Sequence, residues 1–189
     1  MTDLLESMRQ TFLDPVTRHA ILVHTPIVIG LLAIPFVAVL PCLGKRPAIA
    51  YRLLTATILF LAAVVAWQAT EAGEEAVPIV ESRIQGEDAK QTLQRHTELG
   101  ERIPLLMAGT AILTGLTVMR PRPAKIAIGS LATLLALVTG LAISITAHEG
   151  GLLVYRHGAA GTPAGPRTWI EPTTSDSSAH RPQEIGTGI

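Results

Sequence analysis

Six histidines, at positions 19, 24, 96, 148, 157 and 180, are the residues of this chain best suited to chemistry. Two have unusual surroundings. His24 follows Ile21, Leu22 and Val23 and precedes Thr25 and Pro26, and His148 closes the last long apolar run, in AHEGGLLVYRHG. An ionisable side chain at apolar depth is costly, so it is usually turned inward and used. Neutral imidazole is the common protein ligand of haem iron and of first-row transition metals. His24 and His148 are therefore the expected axial ligands of a non-covalent b-type haem, with His96 or His157 as substitute partner. Arg156 stands ready for the haem propionates, together with Arg18, Arg95 and Arg102. Two other readings stand beside this one. The first is a copper, iron or zinc ion held by His24, His96 and His148 with a carboxylate such as Glu71 or Glu149. The second is a structural subunit whose buried histidines bond across helices and hold no cofactor.

Other chemistries are poorly served. The single cysteine, Cys42, permits no intrachain disulfide and no thiolate cluster, and no Cys-x-x-Cys-His exists for covalent haem. No nucleophile–base pair or phosphate loop is visible. Fifteen basic residues balance fifteen acidic ones, so nothing favours nucleic acid. An electron carrier or accessory respiratory subunit is expected before a catalyst.

The elements that must position these histidines follow from composition. Of the 189 residues 48% are hydrophobic and only 16% charged, against about 25% charged in a typical soluble domain. Four apolar segments, residues 20–43, 51–70, 103–119 and 126–147, approach the length that crosses a bilayer as helix. The expected fold is all-α, an integral membrane four-helix bundle over residues 1–158. Asp14-Pro15 reads as an N-cap with proline at the first helical position, and Pro26 and Pro35 should bend the helix that follows. Residues 85–101 read as a polar helix leading into the third span. In the fourth segment Gly129, Ala132, Ala136, Gly140, Ser144 and His148 recur at spacings of three or four, a stripe of small residues ending in a histidine. Gly150-Gly151 should end that helix and let Leu152–Tyr155 fold back as a cap. No internal repeat is evident.

Charge sets the expected direction. The short connections carry Lys45, Arg46, Arg52, Arg120, Arg122 and Lys125 and no acid, whereas residues 71–102 carry eight acids. By the positive-inside rule the short connections face the cytoplasm. Both termini and the acidic connection then face the periplasm from a bacterial inner membrane. Expected partners are membrane lipids, a periplasmic or membrane redox partner and a second copy of the chain. The stretch 159–189, rich in Gly, Pro, Ser and Thr, is expected to be a disordered tail.

RHAILVHTPIVIG, TAHEGGLLVYRHGAAG, WQATEAGEEA and the lone His96 together resemble the motifs of an uncharacterised bacterial four-span membrane family, domain of unknown function 2231. The resemblance covers about residues 17–161. One departure is Ala20, which follows His19 where the family has proline. The resemblance implies four membrane helices with histidines gathered at one side, and no established activity.

Overall fold

The computed structural model describes residues 2–43 and 47–160, and among these the regular structure is all helix. In chain order the helices are α1 (Thr2–Leu13), α2 (Pro15–Leu22), α3 (His24–Ala38), α4 (Pro47–Glu81), α5 (Glu87–Gly100), α6 (Ile103–Leu116) and α7 (Arg122–Tyr155), with a 3-10 turn at Leu40–Cys42. Three stretches are long and apolar enough to cross a membrane: Pro15–Cys42, Ile49–Glu81 and Arg122–Tyr155. The 14 residues of α6 reach only about 21 Å at the helical rise.

Local chemistry explains the boundaries. The Asp14 carboxylate accepts from the Thr17 backbone N–H at 3.0 Å with Pro15 just inside α2, as expected. Pro26 has no N–H to give the Leu22 carbonyl, and α2 yields to α3 one residue later, at Val23. Gly86, at φ 88°, supplies the left-handed residue that turns the chain from α4 into α5. The acidic TEAGEEA segment is not a loop: it continues α4 to Glu81.

The core is enclosed by α3, α4, α6 and α7, each packed on two of the others. It is built largely from alanine, with Val37, Leu40, Leu59 and Met107 filling the remaining space. Small residues bring the helix backbones close, which is how helices associate where no hydrophobic drive separates them from lipid. The outward faces of α3, α4 and α7 carry exposed leucine, valine and phenylalanine, including Leu32, Phe36, Phe60, Leu61, Leu137 and Leu141.

The two halves of the chain form a structural repeat. Helices α2, α3 and α4 repeat as α5, α6 and α7 after a shift of 77 residues. Each of the buried positions of α7, from Gly129 to Leu153, lies 77 residues after a buried position of α4, from Arg52 to Ala76. Gly30 and Met107, Ala33 and Thr110, and Val37 and Thr114 pair in the same way in α3 and α6. The packing exchanges under the shift too: α2 lies on α4 as α5 lies on α7, and α3 lies on α7 as α6 lies on α4. Identity survives at eight positions between 15–81 and 92–158, among them Arg18/Arg95, His19/His96 and Gly73/Gly150. This overturns the reading that no repeat exists: burial is preserved where side-chain identity is not.

Two further expectations are corrected. Helix α7 runs unbroken through Gly150-Gly151 to Tyr155, although each glycine costs about 1 kcal/mol in a helix interior. Its turn comes later, where Gly158 takes φ 71° and Ala159 N–H bonds to the Leu153 carbonyl at 2.9 Å. Ala159 is buried against Leu153, so the expected tail does not begin there. Its remainder from position 161 on, with His180, lies outside the described residues.

At the basic end, Arg52 is 2% exposed and donates from one Nη2 to the carbonyls of Leu40 and Leu43, at 3.2 and 3.3 Å. These are terminal carbonyls of the first leg, and the cation both bonds them and meets the negative end of the helix dipole. Arg52→Leu is expected to lose about 1.5–3 kcal/mol, the typical contribution of a hydrogen bond to a charged group. Unfolding of the detergent-purified protein checks this, and an unchanged midpoint would refute the capping role.

Candidate functional site

The repeat places two histidines face to face. His19 projects from α2, and its Nδ1 donates to the Ala69 carbonyl of α4 at 2.7 Å. His96 projects from α5, and its Nδ1 donates to the Thr146 carbonyl of α7 at 2.9 Å. One turn beyond each carbonyl is a glycine that makes room for the ring. A Cβ on Gly73 would lie 2.9 Å from His19 Nδ1, and one on Gly150 would lie 3.0 Å from His96 Cε1. This is why α7 tolerates glycine at position 150.

The bonds fix the tautomers. A carbonyl only accepts, so Nδ1 carries the proton in both rings and Nε2 keeps its lone pair. The ring centroids are 6.0 Å apart and the planes cross at 78°. Two lone-pair nitrogens thus belong to a close imidazole pair with its orientation set from behind. The preceding arginines brace the same junctions, Arg18 to Glu75 at 2.6 Å and Arg95 to Glu149 at 3.3 Å. These pairs are partly exposed and orient the helices more than they stabilise them.

Both rings line a cavity of about 610 Å³ between the halves, within the range of small-molecule and cofactor sites. Its wall is overwhelmingly apolar and rich in Ala and Gly, including Ala20, Ala66, Ala69, Gly73, Ala147 and Gly150. The cavity follows α4 from Ala66 to Val80, a rise of about 21 Å. The few other polar side chains on its wall include His24, Thr70, Glu74, Thr97 and Glu101.

His96 lies on α5, outside the three apolar spans. Burial is the largest influence on it and pushes its pKa below the ordinary 6.5; the bond to Thr146 opposes this, His19 adds to it, and Glu149 opposes it. Burial thus favours the neutral ring, the form in which an imidazole ligates a metal.

The sequence-expected residues fall elsewhere. His24 is exposed, lies on the cavity wall and donates from Nδ1 to the Ala20 carbonyl of its own helix at 2.7 Å. His148 is exposed and off that wall, so the cavity does not join it to His24. The cause is helical drift: the steps of four from Ala132 to His148 turn the stripe by about 160°. The buried face continues instead through Ile143, Thr146 and Leu153. Arg156 and His157 sit past the end of α7 near the Asp88 carboxylate, at 3.5 and 3.9 Å. Glu71 accepts from Trp67 Nε1 at 2.8 Å. Among the described residues no three His, Cys, Asp or Glu side chains converge as a metal site, so His24, His96 and His148 are not gathered around one point. His19 is the ligand candidate that sequence reasoning missed. The available signal was the Arg-His pair, which stands at 18–19 and 95–96 but also at 156–157, so only its 77-residue recurrence singles out His19.

No protein-family model, curated protein or solved structure matches the chain.

Two predictions follow from this geometry. Gly73→Ala and Gly150→Ala should each push an imidazole off its carbonyl and destabilise the protein by about 1–3 kcal/mol, the usual cost of overpacking. Gly151→Ala, which meets nothing within 4 Å, should instead raise stability by up to about 1 kcal/mol in the same thermal unfolding assay, the gain in helix propensity. The second concerns pH. His96 has a lowered folded-state pKa, so the unfolded chain binds the extra proton, and the stability it contributes is present above pH 6.5 and lost as pH falls through the folded value. The melting temperature should drop between pH 7 and pH 5, and His96→Gln should flatten that drop.

Proposed function

We propose that the protein is a four-span membrane electron carrier that holds one b-type haem between His19 and His96. The observation that carries this reading is the imidazole pair. With ring centroids 6.0 Å apart, the two imidazoles are close enough that both would hold one metal centre. The backbone carbonyl behind each Nδ1–H is the usual outer partner of a metal-ligating histidine, fixing the tautomer and raising the basicity of Nε2. The elongated, alanine- and glycine-lined cavity suits a flat macrocycle. When bound, the haem would supply one-electron transfer, with His19 and His96 as the residues that would hold it.

The fourth span in this reading is α6 with the residues that follow it, 103–119, and α5 leads into it as a polar helix on the periplasmic side. By the 77-residue shift α5 and α6 correspond to α2 and α3. Exposed Leu105, Ile112 and Leu116 continue the lipid-facing surface onto α6. Arg120, Arg122 and Lys125 mark the cytoplasmic end and the acidic collar on α4 and α5 the periplasmic end of a bacterial inner membrane. The haem then lies near the periplasmic side, where it can pass electrons to a periplasmic or membrane partner. The motif resemblance to the four-span family agrees with this architecture.

Detergent-purified protein should show a Soret band and a sharp α-band on reduction. His19→Ala and His96→Ala should each abolish the six-coordinate low-spin spectrum, while His148→Ala should keep it. A colourless protein carrying stoichiometric copper, lost in either His19→Ala or His96→Ala, would replace haem by a metal ion on the same pair. A spectrum that survives both variants would remove the assignment.

A further inference from the structure

We infer that the cavity opens sideways at His24 and that this mouth binds the headgroup of a membrane hydroquinone, with His24 Nε2 taking its proton. The inference rests on the haem reading for its electron acceptor, not for the binding itself.

His24 belongs to two surfaces at once. It lines the cavity, and it is exposed between Ile21 and Val28, apolar residues that are themselves exposed. It opens α3, which packs on α7, and Ala147 of α7 lines the same cavity. Position 24 therefore stands where the cavity wall meets an exposed face that is largely apolar. The ring is prepared to accept a hydrogen bond. Its Nδ1–H is spent on the Ala20 carbonyl, leaving Nε2 as a lone pair. A guest entering here must partition from lipid, be flat enough for an Ala- and Gly-lined wall, and carry a hydroxyl that donates. A hydroquinone meets all three conditions.

The repeat sets this mouth apart. The residue 77 positions after His24 is Glu101, also exposed and also on the cavity wall. The two halves thus offer different acceptors at equivalent places on the wall, an imidazole in the first and a carboxyl group in the second. The second half keeps the ligand histidine and changes the group five residues on, a division between holding the cofactor and admitting its donor.

The chemistry balances in two equal steps. For each hydroquinone O–H bond broken, His24 Nε2 would take the proton, and a haem held by His19 and His96, when bound, would supply the one-electron acceptor. The proton leaves to water at the polar end, and the electron leaves to a soluble one-electron acceptor. Repeating this for the second hydroxyl yields the quinone, two protons and two electrons.

The test uses tetramethylhydroquinone, a tail-less probe, with the detergent-purified full chain under anaerobic conditions. On dithionite-reduced protein no electron transfer can occur, and equilibrium dialysis reads binding alone. Wild type should retain the probe, His24→Leu should bind it at least ten-fold more weakly, and His24→Gln, which keeps an acceptor oxygen, should recover part of the loss. The Soret band should be the same in all three. Mixed with oxidised protein, the probe should raise the α-band at least ten-fold more slowly in His24→Leu. Equal binding by wild type and His24→Leu, or none by either, overturns the site even if the haem spectrum is present. Binding that depends on His24 in a protein with no Soret band keeps the site and removes the haem reading instead.

Discussion

The organisation of this protein depends on one interaction made twice: an imidazole N–H bonded to a carbonyl of a long helix, with the ring in the notch left by a glycine one turn further on. Each helical carbonyl already accepts a bond from its own helix, so the imidazole uses its second lone pair. The notch is necessary because a helix surface with Cβ atoms would hold the ring too far from the backbone to reach it. His19 with Ala69 and Gly73, and His96 with Thr146 and Gly150, are the same device in the two halves. Without it α2 would have little reason to lie against α4, since α2 buries no residue completely, whereas α5 also buries Ala89, Thr92 and Leu93. The polar bond in an apolar setting is what specifies the contact.

The repeat explains why the site lies where it does. Two copies of a helix–break–helix–helix unit face each other, so whatever projects from the inner face of one meets its counterpart from the other. A histidine at position 19 is brought to a histidine at position 96 by symmetry rather than by any separate design of the pair. The same symmetry explains the cavity. The rings hold α2 and α5 against their long helices, and the small residues there, Ala66, Ala69, Ala76 and Ala147 among them, cannot fill the space between. Farther toward the basic end the gap closes. A Cβ at Gly30 would clash with Ile143 Cδ1, and one at Gly140 would come within 2.7 Å of Ile34 Cδ1.

Much of the frame was legible in the residues. Hydropathy marked the apolar segments, Asp14-Pro15 marked the start of α2, and the polar helix before Ile103 was visible in its composition. The site was legible only in part. His96 was named, but His148 was preferred because the stripe from Gly129 looked continuous, and steps of four slide off a face that repeats every 3.6 residues. The true inner face alternates steps of four and three through Ala136, Thr139, Ile143 and Thr146. Threonine is less conspicuous there than glycine or alanine, and its value to the site is its carbonyl, which no sequence pattern displays. Gly150-Gly151 was read as punctuation because glycine usually ends helices, and a partner ring elsewhere in the chain reversed that meaning. The repeat escaped notice because equivalent positions keep their burial while size, polarity and identity change. Arg52 and Gly129 occupy equivalent buried positions while sharing nothing chemically.

Those unequal pairs are the informative ones. In a repeated scaffold each departure from symmetry marks a demand that falls on one half alone. Arg52 fills its site because the first leg ends in a 3-10 turn whose carbonyls need a donor. Gly129 leaves the equivalent site empty because Pro41 presses against it, at 3.2 Å from where a Cβ would be. Glu75 and Glu149 both meet the arginine before a ligand histidine, yet they come from positions that are not equivalent, so each half found its own brace for a shared requirement. His24 and Glu101 share a place on the cavity wall and differ in charge. What has stayed equal is the histidine, the glycine notch and the carbonyl between them. A ligand that uses both halves alike would impose that pattern, holding its two contacts constant while the surroundings diverge.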